Sequence, residues 1–183
     1  FGKNPIRSPY LVTAADFVAC HNPSYVHQYD MVAGLKEGGT FLLNCQWSAD
    51  ELDTQLPASM KRALYEKKAK LYIINAIDIA RGLGLGNRTN TILQASFFNL
   101  TGVIPIEQAV TEMKEAIYKS YFKKKGQKVV DMNNASIDHG INELVAVEIP
   151  EAWAAAEDAP KQDNVPEFIK EIVAPMNRQQ GDA

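Results

Sequence analysis

With 183 residues, 46% of them hydrophobic and 22% charged, the chain has the makeup of one globular domain large enough to bury a core. Its net charge of −3 at pH 7 argues against a general nucleic-acid binder, which needs a basic face to displace counterions. No apolar run approaches the ~20 residues that cross a bilayer and no signal peptide is visible, so no membrane partner is expected.

Two cysteines, Cys20 and Cys45, each close a predicted strand. So few suit buried free thiols in a reducing, cytoplasmic compartment more than a disulfide, and they form no metal-ligand spacing. The sequence opens on Phe1, not methionine, so a processed product or an excised piece of a longer protein is expected.

The lead-in FGKNPIRSPY is polar, and Pro5 and Pro9 push their neighbours towards extended conformations. Its donors, Lys3 and Asn4 among them, read from spacing alone as solvated. DFVAC, Asp16 to Cys20, reads as a buried strand, left by His21, Asn22 and Pro23. Ser24 suits the cap of a helix running to about Lys36, stopped by Gly38 and Gly39. TFLLN, Thr40 to Asn44, is the next strand, and Ser48 with Glu51 matches a capping box for a short helix. Pro57 suits the first turn of another, with Met60, Ala63 and Leu64 inward and Lys61, Arg62, Glu66 and Lys67 outside. Its basic end, EKKAK, reads as a solvated last turn favoured by the helix dipole.

LYIIN opens with the uninterrupted apolar run Leu71 to Ile74, the pattern of a strand covered on both faces. Ile77, Ile79 and Ala80 follow at near-helical spacing. Gly82, Gly84 and Gly86 then form a loop, with Asn87 as cap for a helix from Arg88 through Phe98. A glycine loop opening a helix can present free N–H groups to phosphate or carboxylate. Here a turn of helix separates the glycines from the strand and no third glycine sits at Asn87, so a plain link between helical pieces is preferred to an anion site.

Strand, helix, strand, helix, strand is the signature of a parallel α/β sheet with right-handed crossovers, whose ligands gather beyond the carboxyl ends of the strands. Those ends carry Cys20-His21-Asn22, Asn44-Cys45-Gln46 and Asn75, polar but with no acid–base pair or catalytic triad. The second half reads as helical. Pro105 begins a helix striped by Ile106, Val110, Met113, Ile117 and Tyr121, and Gly126 ends it after Lys123, Lys124 and Lys125. Gln127 to about Asn142 forms another, with Val130, Ile137 and Ile141 inward and Asp138-His139 an exposed polar pair. VAVEIP is extended, and from Pro150 the Ala-, Pro- and acid-rich composition reads as an arm packing only locally, with Trp153 and Phe168 as anchors. The fold class expected is α/β: a three-layer, mostly parallel, Rossmann-like sheet with helices on both faces, a helical second half and an extended C-terminal arm.

The words FGKNPIRSPYLVTAADFVACHN, GGTFLLNCQW, GNRTNTILQASFFNLTGVIP and KKKGQKVVDMNNASIDHG closely resemble the fused pyruvate:ferredoxin (flavodoxin) oxidoreductases, in the domain equivalent to the separate gamma subunit of multi-subunit 2-oxoacid oxidoreductases. The resemblance covers about residues 1 to 148; residues 149 to 183 resemble the segment leading to the next domain. It implies an enzyme that converts pyruvate and coenzyme A to acetyl-CoA and carbon dioxide, using thiamine diphosphate and [4Fe-4S] clusters and passing electrons to ferredoxin or flavodoxin. It further implies a homodimer whose cofactors are held by other domains, none being bound by this chain alone, and a missing front part of this domain. For these residues it implies coenzyme A contacts at Lys3 and Asn4 in the word FGKNP, and at Asn87, Arg88 and Asn90. The alternative is a non-catalytic nucleotide- or partner-binding module that shares the fold.

Overall fold

A computed structural model describes residues 12–158, 168–173 and 176. Three strands, β1 (Ala15–Cys20), β2 (Leu35–Asn44) and β3 (Lys70–Ile74), run parallel and adjacent. A fourth, β4 (Val145–Val147), pairs antiparallel with β3 and completes the order β1-β2-β3-β4. The extended VAVEIP stretch is therefore a strand of the sheet at its start.

Successive strand residues point to opposite faces, and here both faces are apolar, so both must be covered. Phe41, Leu43, Leu71 and Ile73 enter one core with Leu52, Met60 and Leu64 of the helices α1 (Leu52–Gln55) and α2 (Ala58–Glu66). Leu42 and Ile74 enter the opposite core with Ala76 and Ala80 of α3 (Ala76–Gly82) and Ile92 and Leu93 of α4 (Asn90–Thr101). A third cluster lies farther out, where Ala95 of α4 meets Met113 and Ile117 of α5 (Ile106–Lys125) and Val130 and Ile137 of α6 (Gln127–Asn142). The three layers, the helical second half and the boundaries of α5 and α6 agree with the sequence reading.

β1 departs from it. Paired on one side only among the described residues, it leaves Phe17, Val18 and Ala19 half-buried, and only Cys20 is fully enclosed. The helix expected from Ser24 to Lys36 is a single 3₁₀ turn, Pro23–His27. Its cap is Asn22, whose Oδ1 accepts from the Ser24 N–H (3.1 Å) and hydroxyl (3.0 Å). Asp30 then accepts from the Val32 N–H (3.2 Å), a local turn that competes with helix. Gly38 and Gly39 stop nothing. They lie inside β2, where pairing slips from Ala15↔Leu35 to Phe17↔Thr40, a bulge that Gly38 accommodates at φ 70°.

Lys67 is not a solvated residue either. Its ammonium donates to the carbonyls of Val32, Ala33 and Leu35, each at 2.7 Å, tying the turn before β2 to the end of α2. Nor is Arg62 free in solvent: its guanidinium donates to the Ala156 carbonyl and meets Asp158 at 2.9 Å. Trp153, in a 3₁₀ turn spanning Glu151–Ala155, is buried in the α1–α2 core, and its indole N–H donates to Asp53 (2.8 Å). Trp153 is thus an anchor as expected, but its partners are distant in sequence, so local packing does not describe this turn. Phe168 is exposed.

The tightest helix crossing is α4 on α6. The Ser96 hydroxyl donates to the Gly140 carbonyl (2.8 Å), and a Cβ added at Gly140 would meet the Ile92 carbonyl oxygen at 2.4 Å and the Ala95 Cβ at 3.1 Å. Helix propensity favours alanine over glycine by up to about 1 kcal/mol, but this overlap is with backbone and overpacking costs about 1–3 kcal/mol. Gly140→Ala should therefore lower the thermal midpoint by several degrees in calorimetry, whereas Gly82→Ala, at the end of α3 with open space around the new methyl, should leave it level or raise it.

Candidate functional site

Because β1, β2 and β3 are parallel, their carboxyl ends share one edge, and one side chain organises it. Asn44, 2% exposed, donates through Nδ2 to the His21 carbonyl (2.9 Å) and accepts through Oδ1 from the Ala76 N–H (3.0 Å). It joins the exit of β1 to the first turn of α3. Asn75 caps that helix: its Oδ1 accepts from the Asp78 N–H (3.1 Å), and its Nδ2 donates to the Asp78 carboxylate (2.8 Å). Gln46 donates to both Asp78 oxygens, at 2.9 and 3.1 Å. These bonds from Gln46 first, then Asn75, hold the Asp78 carboxyl below its ordinary range, and Arg81 at 3.5 Å adds to the effect.

Two cavities open on this edge. One of about 560 Å³ lies between Cys45, Trp47, Ser48, Ile73 and Asn75 on one side and Leu144 on the other. The second, about 420 Å³, is bordered by Asn75, Asp78, Ile79, His139 and Glu143. Glu143 lines both, and His139 contacts it through Nδ1. Asp138 pairs instead with Lys114 (3.3 Å), so Asp138 and His139 do not act as a pair. Among the described residues no lysine or arginine lines either cavity. Both thiols are free, and burial pushes Cys20 and Cys45 up from the ordinary thiol range. Among the described residues no group of three His, Cys, Asp or Glu could hold a metal ion. The edge thus offers amides, carboxylates and an indole: hydrogen-bonding chemistry for a neutral or amine-bearing group.

The start of the glycine loop closes α3. Gly84, at φ 73°, donates to the Arg81 carbonyl (3.0 Å), and Leu85 donates to the Ala80 carbonyl (2.8 Å). This pair of bonds is a Schellman closure of α3, with Leu85 buried against the same core as Ala80. Asn87 does not cap the next helix. α4 starts at Asn90 after Thr89, and no side chain caps it. Arg88 donates through Nε to the Leu85 carbonyl (3.0 Å), which leaves its two terminal nitrogens for solvent or ligand. Asn87, Arg88 and Asn90 are all exposed. Asn90 lies at the mouth of a groove of about 410 Å³ between α4 and α5, which neither Asn87 nor Arg88 lines. α3 lies between this loop and the end of β3 along the chain, and none of the three residues lines either strand-edge cavity. Lys3 and Asn4 lie outside the described residues.

Sequence reading missed Asp78. The signal was present, since Asn75-x-x-Asp78 has the spacing of a reciprocal cap.

Asn44→Ala would strand the buried Ala76 N–H and free the His21 carbonyl, so urea unfolding should show a loss of about 2–4 kcal/mol. Asn44→Asp keeps the acceptor but sets a carboxylate against a carbonyl, and should not restore stability. Asp78 predicts a pH effect. Its folded value lies below the unfolded value near 3.8, so its contribution is complete above that value and is lost as pH falls through the depressed one. Asp78→Asn should flatten the stability profile in that acid window, measured by denaturation from about pH 5 to about pH 2.

Residues 1–143 match the family described as pyruvate ferredoxin/flavodoxin oxidoreductase. The chain is similar along its full length to a pyruvate-flavodoxin oxidoreductase of Enterobacter agglomerans (51% identity over 186 residues) and a pyruvate:ferredoxin oxidoreductase of Moorella thermoacetica (47% over 184). It spans 16% of the length of each. Its fold matches the crystal structure of pyruvate oxidoreductase subunit PORC of Thermotoga maritima, with a TM-score of 0.58 and 22% identity over 75% of this chain and 67% of that one. The chain belongs to the pyruvate ferredoxin/flavodoxin oxidoreductase family.

Proposed function

We propose that the chain is the gamma-like domain of an enzyme that oxidatively decarboxylates pyruvate with coenzyme A to acetyl-CoA and carbon dioxide, and that it contributes coenzyme A contacts and inter-domain packing. The observation that carries this reading is the full-length 51% identity to a protein named pyruvate-flavodoxin oxidoreductase. Within the whole enzyme, thiamine diphosphate and [4Fe-4S] clusters would supply the carbon and electron chemistry, with ferredoxin or flavodoxin as acceptor. The two relatives carry different acceptors in their names yet align along all of this chain, which favours acceptor choice being made elsewhere. A [4Fe-4S] cluster needs four thiolates, and this chain has two cysteines, both buried with raised thiol values, so its residues do not fit one. The clusters and thiamine diphosphate are assigned to other domains, which are also the chain's nearest partners.

Coenzyme A carries a 3′-phosphate and a diphosphate, and its site needs cations. Among the described residues no lysine or arginine lines the strand-edge cavities, and we assign the phosphates to Lys3 and Arg88, with Asn4, Asn87 and Asn90 as amide partners. The amides of the strand edge suit the neutral pantetheine arm. We place the domain at residues 1–148 and read 149–183 as an arm to the next domain, fastened at Trp153. No helix among the described residues is long and apolar enough to cross a membrane. A cytoplasmic homodimer, with neither nucleic acid nor membrane as partner, completes the proposal.

In the intact enzyme, Lys3→Ala and Arg88→Ala should each raise the KM for coenzyme A roughly ten- to a hundredfold, the equivalent of ~1.5–3 kcal/mol for a charge-assisted bond. Lys3→Arg should recover part of the loss. Carbon dioxide release to the enzyme-bound intermediate, measured without coenzyme A, should be unchanged. An unaltered KM in both alanine variants would remove coenzyme A from this domain.

A further inference from the structure

Resting on the reading of the chain as one domain of a longer oxidoreductase, we propose that the outward face of the second half of α5 docks against an acidic-rimmed apolar surface on another domain of the same polypeptide. α5 buries Ala109, Met113 and Ile117. At 3.6 residues per turn, Tyr118 and Phe122 lie roughly 140° and 180° around the helix from Met113, on the side turned away from the core. Their rings stack on each other, 4.5 Å apart at 17°, and still expose 46% and 39% of their surface. A solvated helix face carries polar residues at such positions; a stacked aromatic pair there is the composition of a contact surface.

Beside the pair Glu115 and Lys119 form an ion pair, and beyond it, at the end of the helix, the charges are positive. Lys123, Lys124 and Lys125 fill the last turn, and Lys128 follows in the first turn of α6. Lys125 sits over the Tyr121 ring, 5.6 Å from its centroid. Lys119 is neutralised by Glu115 at 2.6 Å, but Lys123, Lys124 and Lys128 pair with no acid among the described residues. The helix dipole accounts for cations at a C-terminus. It does not account for an exposed, stacked aromatic pair in the turn before them. In a chain of net charge −3 this concentration of positive charge is local, and its complement is acidic. The relatives are about six times longer than this chain, which spans 16% of each, so a domain of such a protein has neighbours to cover its faces.

The test is hydroxyl-radical footprinting of the intact enzyme, with the urea-unfolded enzyme as reference, combined with carbodiimide cross-linking. Exposures of 46% and 39% alone would slow oxidation of Tyr118 and Phe122 about two- to threefold. A docked face should slow it more than about tenfold. Lys123, Lys124 or Lys125 should cross-link to an aspartate or glutamate outside these 183 residues in the same polypeptide. The triple variant Lys123→Glu, Lys124→Glu, Lys125→Glu should abolish the link and return Tyr118 oxidation to the exposed rate. Two- to threefold protection without a cross-link would overturn the proposal, as would links running only between two copies, identified by mixing isotope-labelled and unlabelled enzyme. Pyruvate-dependent acceptor reduction, assayed on the same preparation, separates the outcomes. An active enzyme with an uncovered α5 sinks the docking surface alone, and an inactive one with a covered α5 sinks the functional reading alone.

Discussion

A parallel sheet ends with backbone groups that have no further strand residue to pair with, and the carboxyl edge here is closed by the Asn44 amide. The position needs a donor for the His21 carbonyl and an acceptor for the Ala76 N–H on one short side chain. Aspartate has no donor, and an apolar residue leaves both groups unmet. With Asn44 in place, the exit of β1 and the start of α3 are fixed relative to β2, and Asn75, Asp78 and Gln46 follow as one bonded set. The two cavities at this edge depend on that arrangement for their walls.

The chemistry on either side of α3 is divided. The strand edge holds amides and carboxylates around its cavities, with no lysine or arginine among the described residues lining them. The loop beyond α3 holds an exposed arginine, bonded among the described residues only through Nε, next to a helix closure that uses the Gly84 and Leu85 amides. A ligand with an uncharged arm and phosphate groups matches that division better than a compact anion would. On the opposite face of the sheet, Asp53 accepts from the Trp153 indole and Arg62 holds Ala156 and Asp158, so residues 153–158 are fastened against α1 and α2. Both features suit a domain that positions groups within a larger protein of this family.

Much of this was legible in the sequence because burial enforces it. The apolar runs of β2 and β3 are covered on both faces, and the stripes of α5 and α6 meet neighbouring helices, so periodicity located them. The reading failed where a single polar side chain redirects the backbone. Asn22 and Asp30 turn the stretch from 22 to 32 by local bonds that a helical pattern does not register. Gly38 looked like a helix stop because a bulge inside a strand calls for the same positive φ. Lys67 looked solvated because its three carbonyl partners lie more than thirty positions away. At the site, Asn44, Gln46 and Asn75 were visible as strand-end residues, but the convergence of Gln46 and Asn75 on Asp78 is a property of the crossover and not of any one motif. The family words supplied the candidate coenzyme A residues; of these Asn90 lines the groove between α4 and α5, while Asn87 and Arg88 are exposed on the loop before it.

The central claim is that this domain carries part of the coenzyme A site while the redox chemistry belongs to its neighbours. A structure of the intact enzyme with coenzyme A bound tests it most directly. The account predicts phosphate oxygens within hydrogen-bonding distance of Lys3 or of the outward nitrogens of Arg88, with no cluster or thiamine diphosphate touching these 183 residues through a covalent ligand. Coenzyme A held wholly by other domains, with Lys3 and Arg88 both in solvent, would contradict it.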